Sequence, residues 1–374
     1  MLSLFNRFPQ YWMDGAVRSL NGLRQGLTEP FPYHEDPPTV TPYTVIAEEG
    51  KMRLRYYQAA TSTPVGSVLI VYALIKRPFI LDLVPGKSVV QSLVNQGFHV
   101  YLTDWIPPTR ADTWRGFDAY VNGDLANAVQ RVQEHAGIEQ VSLLGYCFGA
   151  LLASLYTALH PHTVENLVTL TIPFDFSTQE IPLFSILNKL PPATLDLIRS
   201  THGNCPGWLV KAAFTAMSPV HHGIDKYMGL YRNAEKEGYA EFFDLFERWM
   251  NSDVPLAGQL FREVTHDVFQ QNLLQQNQLQ VGNTMVDMRQ ITCPVFSIIG
   301  EHDDVVHPHS SQSFTECVGS ADTATVTFPA GHVGVVVGTA AHKKLWPEVG
   351  AWLRHRTLPA MRRHGAWSSD HHSH

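Results

Sequence analysis

The residues most able to do chemistry in this chain are Gly145-Tyr146-Cys147-Phe148-Gly149. An aliphatic run, Val141–Leu144, precedes them, and a helix-forming run, Leu151–Leu159, follows. A strand, a sharp turn and a helix are the setting of a nucleophile elbow, with Gly145 and Gly149 small because larger side chains there would collide with the neighbouring elements. The reactive species of Cys147 is its thiolate, and the start of the following helix lowers the free energy of an anion there. An isolated cysteine is more often a small buried hydrophobe. That plainer reading is kept for Cys205, Cys293 and Cys317.

A nucleophile needs a base, and the base needs an orienting acid. On a fold with this elbow they follow in the order nucleophile, acid, base. Asp303 follows the strand-like run Pro294–Gly300, within Glu301-His302-Asp303-Asp304. His332 lies in Pro329-Ala330-Gly331-His332-Val333-Gly334, after a second run, Thr323–Phe328. The separation of 332 − 303 = 29 residues leaves room for one helix and one strand. Asp304 is the adjacent competitor. Asp175 is a more distant one, read here as a cap on the turn after Leu167–Ile172. The oxyanion hole is expected from the backbone N–H of Phe148 and that of Leu74 or Ile75, a choice the sequence leaves open. Cysteine at the elbow keeps an acyl group activated, which favours acyl transfer from a thioester over hydrolysis if water is kept out.

The elements that must position these groups alternate. Ser67–Ala73, His99–Asp104, Val141–Leu144 and Leu167–Ile172 read as buried strands. Ser88–Gln96, Thr113–Ala136 and Leu151–Leu159 read as helices between them. In the second, Trp114, Phe117, Val121, Leu125, Val129 and Val132 recur at helical spacing and are expected in the core. Alternation of this kind means a mostly parallel α/β sheet with right-handed crossovers. The pattern lapses at 177–290, which reads as a helical cap without a convincing strand, and resumes until a closing helix at Ala340–Arg356. The expected organisation is an N-terminal arm (1–45), a first core part (46–176), the cap (177–290), a second core part (291–358) and a disordered tail (359–374).

Composition bounds the function classes. Of 374 residues only 16% are charged, against roughly 25% in an average soluble domain, and 44% are hydrophobic. Such a chain can bury a large core. Its formal net charge of −7 argues against a nucleic-acid binder. The four cysteines show neither zinc nor disulfide spacing, so no metal or cofactor is expected. No run approaches the roughly 18–20 apolar residues of a membrane span. Arg7, Pro9 and Asp14 interrupt any signal-like stretch, so the expected location is the cytoplasm.

Taken together, Val71–Leu83, Val100–Trp105, Leu143–Gly149, Ala158–Pro161, Pro173–Phe176, Asn204–Gly207 and the acid and base loops resemble the short polyhydroxyalkanoate synthases, class III and class IV catalytic subunits. The resemblance spans about residues 40–356. It implies an α/β-hydrolase fold and an acyltransferase that polymerises 3-hydroxyacyl-CoA, such as 3-hydroxybutyryl-CoA. By that resemblance Cys147 carries the growing chain as a thioester, His332 activates the thiol, and Asp303 assists His332 or the incoming hydroxyl. It also implies release of CoA, an accessory subunit of PhaE or PhaR type, a homodimer, and residence on polyester granules. Two departures stand out: Ala150 where the family has a second glycine, and Asp304 where it has histidine. The alternative is a cysteine hydrolase of the same fold, of dienelactone-hydrolase or thioesterase type. Lys76 and Arg77 are either CoA-phosphate contacts or solvated loop residues. The histidines of the tail, His364, His371, His372 and His374, are read as solvated.

Overall fold

Three runs, Gly66–Val71, Val141–Tyr146 and Val295–Gly300, are buried along their whole length. Aliphatic residues covered on both faces in this way form the centre of a parallel sheet. A computed structural model of the chain describes residues 37, 39–177, 190–211 and 238–365. Its strands, in chain order, are β1 (Thr44–Glu49), β2 (Met52–Tyr57), β3 (Gly66–Val71), β4 (Asp82–Val84), β5 (Lys87–Ser88), β6 (Phe98–Trp105), β7 (Val141–Tyr146), β8 (Val164–Leu170), β9 (Gln280–Val281), β10 (Thr284–Met285), β11 (Val295–Gly300) and β12 (Thr323–Phe328). Eight of them form one sheet in the order β1-β2-β6-β3-β7-β8-β11-β12. β1, β2 and β6 pair antiparallel, and every pairing from β6 to β12 is parallel. This is an α/β-hydrolase architecture, as the sequence pattern indicates. The carboxyl ends of β7, β11 and β12 lie at one edge of the sheet, where ligands bind in open α/β folds.

The helices include α1 (Val89–Asn95), α2 (Ala126–Ala136) and α3 (Phe148–Leu159). Ser88 caps α1 through its hydroxyl, which accepts a hydrogen bond from the Gln91 amide. Gly137, left-handed at φ 65°, closes α2. Helix α3 is buried from Phe148 through Ala158. Between β8 and β11 come α4 (Pro192–His202), α5 (Tyr239–Met250) and α6 (Gly258–Glu263), the last running into a wide π-turn at Val264–Gln270. They form the inserted helical cap. A reciprocal pair of backbone bonds between Cys205 and Leu256, at 2.9 and 3.0 Å, ties two of its segments together. The chain closes with α7 (Trp346–Gly365).

Several details differ from the sequence reading. The β1–β2 hairpin is absent from it, because charged residues break the apolar alternation of Met52–Tyr57. Arg55, one of those residues, is fully buried and pairs with Asp104 of β6 at 2.6 Å. The helix expected over Thr113–Ala136 begins only at Ala119, with a π-turn to Leu125. Phe117, Val121, Leu125, Val129 and Val132 are buried as expected, but Trp114 is 70% exposed. The segment before that turn instead meets the cap: Gln259 and Leu260 donate backbone bonds to the carbonyls of Thr113 and Arg115. The Trp114 ring faces the Arg199 guanidinium at 4.7 Å. A two-residue hairpin, β9–β10, stands in the segment read as strand-free. Helix α7 continues to Gly365, seven residues past the expected end of the core at 358. Most of the N-terminal arm, the end of the tail and parts of the cap lie outside the described residues.

Candidate active site

Cys147 joins β7 to α3 with φ 54° and ψ −123°. A side chain other than glycine is strained there, and such strain gathers at functional sites. The turn is held by the Cys147 amide, which donates to the Leu170 carbonyl at 2.9 Å, and by the Ala150 amide, which donates to the Cys147 carbonyl at 2.8 Å. The two glycines are steric necessities. A methyl group on Gly149 would sit 2.0 Å from the Val71 carbonyl oxygen, and one on Gly145 would sit 2.3 Å from the Ala150 Cα. Ala150 itself is fully buried.

His332 follows β12 and Asp303 follows β11. His332 Nδ1 and Asp303 Oδ2 are 2.7 Å apart. The other oxygen of Asp303 accepts the amides of Val305 at 2.8 Å and Val306 at 2.7 Å. The carboxylate is thereby fixed, and it sets which imidazole nitrogen faces the thiol. Burial alone would push the His332 pKa down. The Asp303 carboxylate, with a hydrogen bond to it, and the charge and hydrogen bonding of Cys147 overcome this and hold it well above its ordinary value. The structure therefore brings Cys147, His332 and Asp303 together. All three are buried.

Tyr146, one residue before Cys147, packs into the same cluster, a contact that sequence reasoning missed. Its ring stacks on the His332 imidazole, with centroids 5.2 Å apart and planes at 30°. Its hydroxyl donates to the His332 carbonyl at 3.2 Å. The signal was its place inside the elbow, where the glycines, the cysteine and the Phe148 amide were read for function and Tyr146 was not.

The rival acids are elsewhere. Asp304 is exposed, and its carboxylate does not join the buried set. Asp175 Oδ1 accepts from the Ser177 amide and from Asn272 Nδ2, each at 2.8 Å. Burial would raise its pKa, but those hydrogen bonds and the nearby His309 hold it low. It caps the turn that leads into the cap. Burial pushes the thiols of Cys205 and Cys293 up to about 12, and that of Cys317 upward, so all three stay protonated. Lys76 and Arg77 are neither solvated nor open to a phosphate. Lys76 Nζ pairs with Asp253 at 2.8 Å, and Arg77 pairs with Asp104 at 3.0 Å.

Phe148 begins α3, whose first turn packs on the carbonyls of Val71 and Tyr72, and Leu74 and Ile75 lie in the loop that follows β3. Among the described residues no group of three or more His, Cys, Asp or Glu side chains could hold a metal ion. No helix among them is long and apolar enough to cross a membrane.

A second pairing of nucleophile-type and acidic side chains was not anticipated. Ser88 Oγ lies 2.5 Å from Asp82 Oδ1 across the β4–β5 hairpin. This is the serine and carboxylate that a serine-hydrolase reading would consider, with His99 as base. Ser88, however, has ordinary extended backbone, φ −128° and ψ 119°, and its oxygen caps α1. Both Asp82 oxygens are engaged by Thr41, through its amide and its hydroxyl, each at 2.9 Å. His99 Nδ1 meets the Tyr56 hydroxyl at 2.9 Å and accepts from the Ala59 amide at 3.2 Å.

The comparisons agree with this fold. A family model described as the alpha/beta hydrolase fold matches residues 67–339. A monoglyceride lipase from Saccharomyces cerevisiae superposes with a TM-score of 0.55 at 14% identity, over 87% of this chain and all of that one. A putative lipase from Sulfolobus solfataricus gives 0.53 at 16%, over 84% and 99%. An enol-lactonase from Burkholderia xenovorans gives 0.51 at 13%, over 83% and 99%. These likenesses establish the fold, and they also correct the sequence reading. In the sequence reading, an elbow cysteine under a cap favours acyl transfer, and the family resemblance adds polymer formation. The same fold is found in proteins described as lipases and an enol-lactonase, so the fold does not carry polymer formation.

Sequence relatives are nearer. The poly(3-hydroxyalkanoate) polymerase subunit PhaC of Haloferax mediterranei is 37% identical over 320 residues, 85% of this chain, of which it spans 64% of the relative's length. The subunit of the same name from Allochromatium vinosum is 33% identical over 85% of this chain and 89% of its own. That of Synechocystis is 31% identical over 92% of each. Matched along about nine-tenths of the last two, the chain belongs to the poly(3-hydroxyalkanoate) polymerase subunit PhaC family, on an α/β-hydrolase fold.

Proposed function

We propose that this protein is a thiol-dependent acyl-transfer enzyme in which Cys147 is the nucleophile, His332 the base and Asp303 the group that orients it. The carrying observation is a cysteine at a strained elbow beside a buried imidazole that Asp303 holds at 2.7 Å and whose pKa Asp303 and Cys147 raise together. His332 takes the thiol proton, and the thiolate attacks the acyl carbon of an ester or thioester. A carbon–sulfur bond to Cys147 forms and the bond to the leaving group breaks. The leaving thiol or alcohol departs with the proton held on His332 Nε2. An acceptor hydroxyl then attacks the acyl-cysteine while His332 takes its proton, and the thiolate is released. The amides of Phe148 and of Leu74 or Ile75 would bear the oxyanion in both steps.

The acceptor divides two readings. Water makes the enzyme a cysteine hydrolase. The hydroxyl of another 3-hydroxyacyl unit would make it a chain-building enzyme, the activity in the names of its sequence relatives. The accessory subunit, the homodimer, the granule surface and a cytoplasmic setting belong to this second reading. Incubation with 3-hydroxybutyryl-CoA tests the proposal. CoA release that vanishes in Cys147→Ala supports it, and release that persists in that variant overturns it. Soluble 3-hydroxybutyrate marks water as the acceptor, and insoluble polyester marks a hydroxyl.

A further inference from the structure

The loop that follows β3 is held from two sides. Its first residue, Tyr72, is fixed by the sheet: its amide donates to Thr103 Oγ1 at 2.9 Å, and its carbonyl accepts from Trp105 Nε1 at 2.7 Å. The far end, Ile75–Arg77, is fixed by a single stretch of the cap, residues 249–254. The Val254 amide donates to the Ile75 carbonyl at 3.1 Å. Lys76 Nζ donates to the Met250 carbonyl and to Asp253 Oδ1, each at 2.8 Å. The Trp249 indole N–H lies 3.1 Å from the Arg77 carbonyl and 3.0 Å from the Tyr72 hydroxyl, so one donor spans both ends of the loop. The Lys76–Asp253 pair is almost wholly buried, with side chains 10% and 2% exposed. A solvent-facing hinge would not bury an ion pair, because an unpaired partner would carry the full desolvation cost.

Between these two anchors lie Ala73 and Leu74, directly after the Val71–Tyr72 backbone on which the first turn of α3 packs. We propose that residues 249–254 of the cap hold the 72–77 loop in its oxyanion-binding shape, so that seating of the cap completes the site. Trp249 and Asp253 are then positioning residues for acyl transfer, acting through the loop and touching no reacting atom. This rests on the assignment of Cys147 as nucleophile. It goes further in making the cap part of the chemistry as well as a cover.

Oxyanion stabilisation and thiol reactivity can be read separately. Alkylation of Cys147 by iodoacetamide needs the thiolate and no oxyanion hole, whereas acyl transfer needs both. Trp249→Phe keeps a ring and removes the shared N–H, and Asp253→Asn removes the charge that holds Lys76. Loss of an oxyanion donor costs about 10²–10³-fold in kcat, and a loosened loop is expected to cost at least about tenfold, with KM changed less than about threefold. The alkylation rate of Cys147 stays within about twofold, and Lys76→Arg retains most of the activity that Lys76→Met loses. Unchanged kcat in Trp249→Phe overturns the proposal, as does a fall in kcat matched by an equal fall in alkylation. If Asp253→Asn fails to fold, Trp249→Phe decides alone. Failure of iodoacetamide to label Cys147 in the unaltered protein overturns the nucleophile assignment itself, and the proposal with it.

Discussion

Two places in this molecule set a carboxylate beside a potential nucleophile or its base, and they behave in opposite ways. At the carboxyl ends of β7, β11 and β12, His332 is held well above its ordinary pKa by Asp303 and Cys147 against the pull of burial. Near the β4–β5 hairpin, burial raises the Asp82 carboxyl, with Ser88 and Thr41 only partly opposing it. Burial, together with the neighbouring His135, pushes His99 down. The first arrangement stabilises charge on an imidazole. The second shifts its groups toward their neutral forms and engages them with local partners. The backbone differs in the same sense: Cys147 is strained at φ 54°, whereas Ser88 is an extended N-cap. A short contact between a nucleophile and an acid is therefore a poor sign of catalysis by itself. The position on the sheet, the strain and the direction of the histidine shift distinguish a site from a cap.

The largest test of this contrast is Cys147→Ala, which should lower acyl-CoA turnover by at least about 10³-fold, as loss of a nucleophile does elsewhere. Serine at 88 should be dispensable for that rate. Next comes His332→Gln, expected to cost about 10²–10⁴-fold in kcat, the range for a lost general base. The same variant tests the ion pair through stability. A raised folded pKa contributes fully below the ordinary value of 6.5 and is lost as pH climbs through the raised value. The Tm of the protein should therefore exceed that of His332→Gln most at low pH, with the gap closing as pH rises. A gap that widens would reverse the sign of the argument. Tyr146→Phe removes one hydroxyl behind His332 and should cost about 1 kcal/mol, roughly fivefold in kcat. Ser88→Ala has the smallest kinetic effect. Its kcat should be unchanged, while urea denaturation should show about 1 kcal/mol less stability from the lost cap.

Much of this site was legible because its parts are local in sequence. The elbow is five consecutive residues, and Asp303 and His332 each lie a few residues beyond a recognisable strand. Chain order supplied the rest. What was not legible depends on contacts between distant segments. Lys76 and Arg77 read as loop cations because Asp253 and Asp104 lie far from them in sequence. Trp114 fits the apolar spacing of a helix, yet backbone bonds from Gln259 and Leu260 stop that helix from beginning before Ala119. The β1–β2 hairpin stayed hidden because Arg55 breaks its alternation, and only Asp104, across the sheet on β6, makes an arginine tolerable there. The expectation of polymer formation, taken from the family resemblance, overreached for a related reason: the fate of the acyl group depends on the acceptor, which no side chain in the motif specifies.

The most direct measurement is peptide mapping of the protein after acid quenching from a reaction with 3-hydroxybutyryl-CoA. The account predicts the hydroxybutyryl mass on the peptide that contains Cys147, and its absence there in Cys147→Ala. Acyl mass on the peptide that contains Ser88, or none on Cys147 while CoA is being released, would contradict it.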